Sequence, residues 1–157
     1  MRRVLLVWLI VMGWPGAGGF EKASQQEDFS GIDRLLDAIA RVESGGGPRM
    51  AGDGGMARGP YQIHRAYWAD GTRFLGADWD YRQAVDPAKA REVVRAYLLH
   101  YGRGCSLLEM ARIHNGGPNG HKKPSTLAYA RRIERILPDA GSRPDRAGTL
   151  MARDRRG

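Results

Sequence analysis

Ile32, Leu35, Leu36, Ile39 and Ala40 recur at three- and four-residue intervals, and Glu43 falls next on the same stripe. Gly45-Gly46-Gly47-Pro48 then stops the pattern. Such spacing is one face of an amphipathic helix, and a chain that carries it must cover that face with other elements. Ser30 stands where an N-cap is expected. Glu43 is thereby placed in the last turn, on the apolar side, where the helix dipole is negative. Two readings of it follow. Desolvation and the dipole both raise the pKa of a carboxyl so placed, which suits a general acid working near neutral pH. If the helix end frays, Glu43 is instead a solvated last-turn residue.

The segment from Arg49 to Ile63 is turn-rich, with Asp53-Gly54-Gly55 at its tip and short extended pieces on either side. It reads as a small β-hairpin or irregular β-turn region. Glu43 and Asp53 bracket this flexible stretch and form a candidate acid–base pair, although Asp-Gly is also an ordinary turn dipeptide. Gln62 to Ala69 reads as a short helix carrying His64, Tyr67 and Trp68, and Gly71 to Tyr81 as a loop with Phe74 and Trp79. Asp86-Pro87 opens a helix whose core stripe is Ala90, Val93, Val94, Tyr97, Leu98 and Tyr101. Ser106 and Glu109 have the spacing of a capping box for a helix reaching about His114. Asn115 to Gly120 is expected as a tight exposed loop. A last helix spans Ser125 to Leu137, with Tyr129, Ile133, Ile136 and Leu137 inward, and Pro138 ends it. The fold class expected is mainly α (α+β): a helical domain with one small β-hairpin following a helix that ends in glutamate.

A chain of 157 residues is long enough for one domain with a real core, and its 42% apolar and 27% charged content is that of a globular protein. Arg2-Arg3, the apolar run Val4 to Met12 and the small residues Gly16 to Gly19 have the order of a secretory signal peptide. The apolar run is too short to span a bilayer comfortably, so an uncleaved anchor is the lesser alternative. The layout expected is a signal peptide at 1–19, a lead-in at 20–29, the folded domain at 30–138 and a basic disordered tail at 139–157. The net charge of +8 favours a polyanionic partner, and export argues against nucleic acid and for a secreted or periplasmic setting. Cys105 is the only cysteine, so an intramolecular disulfide is excluded and the thiol is expected to be buried or incidental. Four scattered histidines give no metal-ligand spacing, and no phosphate-binding glycine loop is present. No cofactor is expected.

Five stretches in order carry a resemblance. Val42-Glu43-Ser44-Gly45 and Gly59-Pro60-Tyr61-Gln62-Ile63 resemble the lysozyme-like superfamily that includes soluble lytic transglycosylases. Tyr67-Trp68, the run Ala111 to Gly120 and Thr126-Leu127-Ala128-Tyr129 look more specifically like invertebrate-type (destabilase-like) lysozymes. The similarity runs from about Leu36 to Ile136. It implies a lysozyme-like helical domain with the hairpin beside a catalytic cleft, acting on the β-1,4 bond between N-acetylmuramic acid and N-acetylglucosamine in peptidoglycan strands. Glu43 matches the glutamate that protonates the glycosidic oxygen, and Asp53 the second carboxylate. Gln62 and Asn115 match polar residues of the saccharide cleft, and Tyr129 a tyrosine beside the catalytic glutamate. His64, Tyr67 and His114 complete the candidate saccharide contacts. The cysteines depart from the pattern, since invertebrate-type lysozymes are disulfide-rich. This puts close kinship in doubt and suits a bacterial or phage-like relative.

Three readings compete: a muramidase of the lysozyme type or, with Glu43 alone, a lytic transglycosylase giving 1,6-anhydro products; a non-catalytic saccharide-binding wall protein; and a basic protein that disrupts anionic membranes through its Arg-rich tail. The first is preferred because both carboxylates are present. It implies peptidoglycan as partner, no stable membrane insertion once the signal is removed, and a monomer.

Overall fold

A computed structural model describes residues 18–45, 51–52, 54 and 56–141. The apolar run at 4–12 and the tail from 142 lie outside them. Helix α1 runs Gly18–Ser44. It begins well before Ser30, so the expected cap lies inside the helix and the expected lead-in is helical. Glu, Lys, Ala and Gln dominate positions 21–27, and nothing there ends a helix. Ile32, Leu35, Leu36 and Ile39 are buried, as the stripe requires, with Ala38 beside them. Gly45, at φ 59°, provides the left-handed residue that ends α1.

A three-stranded antiparallel sheet follows: β1 (Ala51–Gly52), β2 (Ala57–Arg58) and β3 (Ile63–His64). Ala57 pairs with Gly52 on one side and His64 on the other. The sheet is fastened from below. The Tyr81 hydroxyl lies 2.7 Å from the carbonyl oxygens of both Met56 and Ile63, and shares its one proton between them. The turn at Gly59, φ 72°, presses so closely on Tyr81–Val85 that a Cβ there would lie 1.9 Å from the Ala84 carbonyl oxygen. Only glycine fits.

Helix α2 spans Arg65–Leu75, not Gln62–Ala69. It starts later because Ile63 and His64 are committed to β3, and it continues through Gly71 because that glycine is a packing residue. A Cβ on Gly71 would lie 2.6 Å from Val93 Cγ1 and 2.8 Å from the Val93 carbonyl oxygen. Trp68 is buried, its indole N–H donating to the Trp79 carbonyl at 2.9 Å. Helix α3, Pro87–Tyr101, begins as expected, the Asp86 carboxylate accepting from the N–H groups of Ala88 and Lys89. Its stripe from Ala90 to Leu98 is buried.

Helix α4, Leu107–Gly116, starts with the expected Ser106–Glu109 capping box and takes in Asn115 and Gly116, so the exposed loop begins at Gly117. Helix α5, Leu127–Ile136, buries Tyr129, Ala130 and Ile133. Ile136 was expected inward and is 37% exposed, whereas Leu137 is 4% exposed. The chain leaves helical geometry at Leu137 (φ −134°, ψ 78°), and that change turns the leucine into the core. Asp139 to Gly141 are not tail. They belong to a 3-10 turn, Pro138–Gly141, with Ala140 fully buried and Asp139 accepting two N–H···O bonds from Arg34 on α1. One core is shared by the five helices and the Tyr61–Ile63 edge of the sheet. No helix among the described residues is long and apolar enough to cross a membrane.

Candidate functional site

Glu43 occupies the last turn of α1 with its side chain 20% exposed. Its carboxylate oxygen Oε1 lies 3.8 Å from Nε2 of His114 on α4. Tyr129 on α5 is its other neighbour. Burial first, and then the Glu43 carboxylate, hold the Tyr129 phenol far above its ordinary pKa. No hydrogen bond of ordinary geometry fixes that hydroxyl among the described residues, but Glu43 is its charged and hydrogen-bonding neighbour. Three helices distant in sequence thus present a carboxyl, an imidazole and a phenol to one another.

Beneath them lies an aromatic column. Tyr67 stacks on Tyr97 with centroids 3.6 Å apart and planes 15° from parallel. Tyr67 then meets His114 edge-on at 5.4 Å, its hydroxyl 3.1 Å from Nδ1. Enclosure of the imidazole lowers its pKa to about 4, against the opposing pull of the Tyr61 backbone carbonyl. At neutral pH the ring is uncharged. Its contact with Glu43 is therefore that of a polar neighbour and not an ion pair.

Gln62 adopts φ 46°, the one positive φ outside glycine among the described residues. Its backbone N–H and side-chain Nε2–H both donate to the Gly59 carbonyl, at 3.1 and 2.8 Å. A left-handed glutamine costs about 1 kcal/mol or more, and such outliers gather at functional sites. One end of its amide is thereby committed to the turn. Asn115 is exposed beside His114 at the end of α4. His64 is exposed, in β3 and at the N-cap of α2. Asp53 lies outside the described residues.

Of the candidates, Glu43, Tyr67, His114 and Tyr129 are brought together. Sequence reading took Tyr97 only as core, and missed Arg132, whose guanidinium lies 5.0 Å over the Tyr129 ring. The three-residue spacing of Tyr129 and Arg132 on one helix face was the available signal.

A carboxyl in the last turn of a core-packed helix, next to a small antiparallel sheet in a mainly helical domain, is an arrangement that suits a lysozyme-like glycosidase. Residues 33–136 match the family model described as Destabilase. The lysozyme of Ostrea edulis is 43% identical over 105 residues, which cover 62% of this chain and 74% of that one. The lysozyme of Meretrix lusoria is 38% identical over 111 residues, 66% of this chain and 88% of that one. The crystal structure of Tapes japonica lysozyme superposes with a TM-score of 0.57 at 28% identity, over 68% of this chain and 93% of that one. The chain belongs to the destabilase family of invertebrate-type lysozymes. It is a glycoside hydrolase of the lysozyme type.

Proposed function

We propose that this lysozyme-type enzyme is an exported muramidase that hydrolyses the β-1,4 bond between N-acetylmuramic acid and N-acetylglucosamine in peptidoglycan. The observation that carries the reading is the placement of Glu43 against His114 and Tyr129 at the end of α1. Glu43, as the carboxylic acid, protonates the departing glycosidic oxygen. Asp53 is the second carboxylate, acting on the opposite side of the sugar as nucleophile or water-activating base. Uncharged His114 and Tyr129 hold the donor in place without competing for its proton. Gln62, His64, Tyr67 and Asn115 are the further saccharide contacts, the enclosed Tyr67 acting through His114. Residues 1–19 direct export to the periplasm or beyond, the enzyme works as a monomer, and the basic chain favours the acidic wall.

Mass spectrometry of muropeptides released from purified peptidoglycan tests this reading on the protein lacking residues 1–19. Products ending in a reducing sugar are expected, and Glu43→Gln should lower the rate by about 10²-fold or more while leaving the fold intact. Products one water lighter would make the enzyme a lytic transglycosylase and remove Asp53 from the chemistry. Equal release by the variant would leave a saccharide-binding protein in place of an enzyme acting through Glu43.

A further inference from the structure

We propose that Arg132 selects for muramic acid by binding a carboxylate on its 3-O-lactyl arm, whether the free lactyl group or the acids of a stem peptide built on it. This inference rests on the muramidase reading of the same site. Arg132 stands one turn after Tyr129 on α5, exposed, with its guanidinium 5.0 Å over the tyrosine ring. Its charge opposes the upward pull of Glu43 on the Tyr129 phenol, so the cation is felt at the hydroxyl that adjoins the proton donor. One aromatic ring separates it from the catalytic carboxyl.

Five other arginines are engaged by acids. Arg34 pairs with Asp139, Arg73 with Asp70, Arg82 with Asp80, and Arg91 and Arg95 with Asp33. Arg58 and Arg65, which lie over the Tyr81 ring, are like Arg132 in having no ion pair among the described residues, but they adjoin Tyr81 and not the Glu43 site. Arg132 makes no ion pair among the described residues, and the ring beneath it limits the directions its fork can take. A planar guanidinium held in this way matches a carboxylate through two parallel N–H···O bonds. The substrate class carries a carboxylate of this kind. Muramic acid supplies the anomeric carbon of the bond cleaved, and its lactyl arm is what distinguishes it from N-acetylglucosamine. A neutral glycan of N-acetylglucosamine alone has no carboxylate for Arg132 to meet.

Binding is measured on the Glu43→Gln background, so that no result depends on turnover. The ligands are an oligomer of N-acetylglucosamine, an alternating muramic acid glycan stripped of peptide, and the same glycan bearing stem peptides. Arg132→Gln should weaken the carboxylate-bearing glycans by about two- to fivefold more than the neutral oligomer, the scale of an exposed ion pair. That difference should shrink in about 0.5 M salt, and Arg132→Lys should recover part of it. Loss with the stripped glycan assigns the contact to the lactyl carboxylate, and loss confined to the peptide-bearing glycan assigns it to the stem peptide. Equal weakening of all three ligands, no change in any, or no glycan binding by the Glu43→Gln parent overturns the inference. Failure of Glu43 as proton donor would appear separately, as undiminished product release by Glu43→Gln.

Discussion

At His114 burial and hydrogen bonding pull in opposite directions, and burial prevails: the ring is held neutral with a pKa of about 4 while the Tyr61 carbonyl favours the charged form. The unfolded chain has no such enclosure, and its imidazole titrates near ~6.5. Between these values the unfolded state binds the extra proton. The contribution of His114 to stability is therefore complete above the unfolded pKa and is lost as pH falls through the window down to about 4. The slope approaches ~1.4 kcal/mol per pH unit. Urea unfolding should show wild type about 2 kcal/mol less stable at pH 5 than at pH 7 from this group, and His114→Gln should flatten that difference. A slope unchanged in the variant would mean that the imidazole stays charged in the fold. At this scale the sequence was legible where a helix stripe pointed inward, as at Glu43 and Tyr129. It was silent on Gln62, whose left-handed backbone is imposed by the turn at Gly59 and not by anything glutamine prefers.

Among the elements, α2 shows why a glycine misleads. Gly71 was expected to open a loop, yet it is the flat spot on which α3 rests, with Val93 where its Cβ would be. Gly71→Ala should raise helix propensity by roughly 1 kcal/mol and still destabilise the protein, because the methyl group meets both a side chain and backbone. Overpacking of this kind costs about 1–3 kcal/mol, so a fall in thermal midpoint is expected. A rise would mean that α2 and α3 separate freely enough to admit the methyl. The same contrast explains what else was readable. Helix α3 and the start of α4 were marked by local chemistry, Asp86-Pro87 and the Ser106–Glu109 box, and both stand where expected. The bounds of α2 and the inward turn of Leu137 depend on partners far away in sequence, which no local pattern encodes. The start of α1 failed differently: Ser30 is a good cap, but the helix-forming residues before it leave it nothing to begin.

Over the whole molecule, α1 is tied by ion pairs both to α3 and to the 3-10 turn after α5. Arg91 on α3 donates to Asp33, Asp37 and the Tyr61 hydroxyl, and Arg95 donates to Asp33. The Arg95 bond first, and then Arg91, hold the Asp33 carboxyl below its ordinary range. A depressed carboxyl contributes stability above its unfolded pKa, near ~3.9, and loses it as pH falls through the lower folded value. Partial exposure and solvent screening limit the contribution to about 1 kcal/mol. Asp33→Asn should lower the thermal midpoint at pH 7 by a few degrees at most and converge with wild type once the pH falls below the depressed folded value. Persistence of the gap in acid would place the effect in packing. The tyrosine beside Glu43 comes from α5, almost the last element of the domain, while Glu43 comes from the first. A nascent chain therefore carries Glu43 long before it carries the residues that surround it in the fold. Until α5 has emerged and docked, Glu43 lacks the phenol that adjoins it in the finished fold, so the site is completed only as the last helix of the domain is laid down.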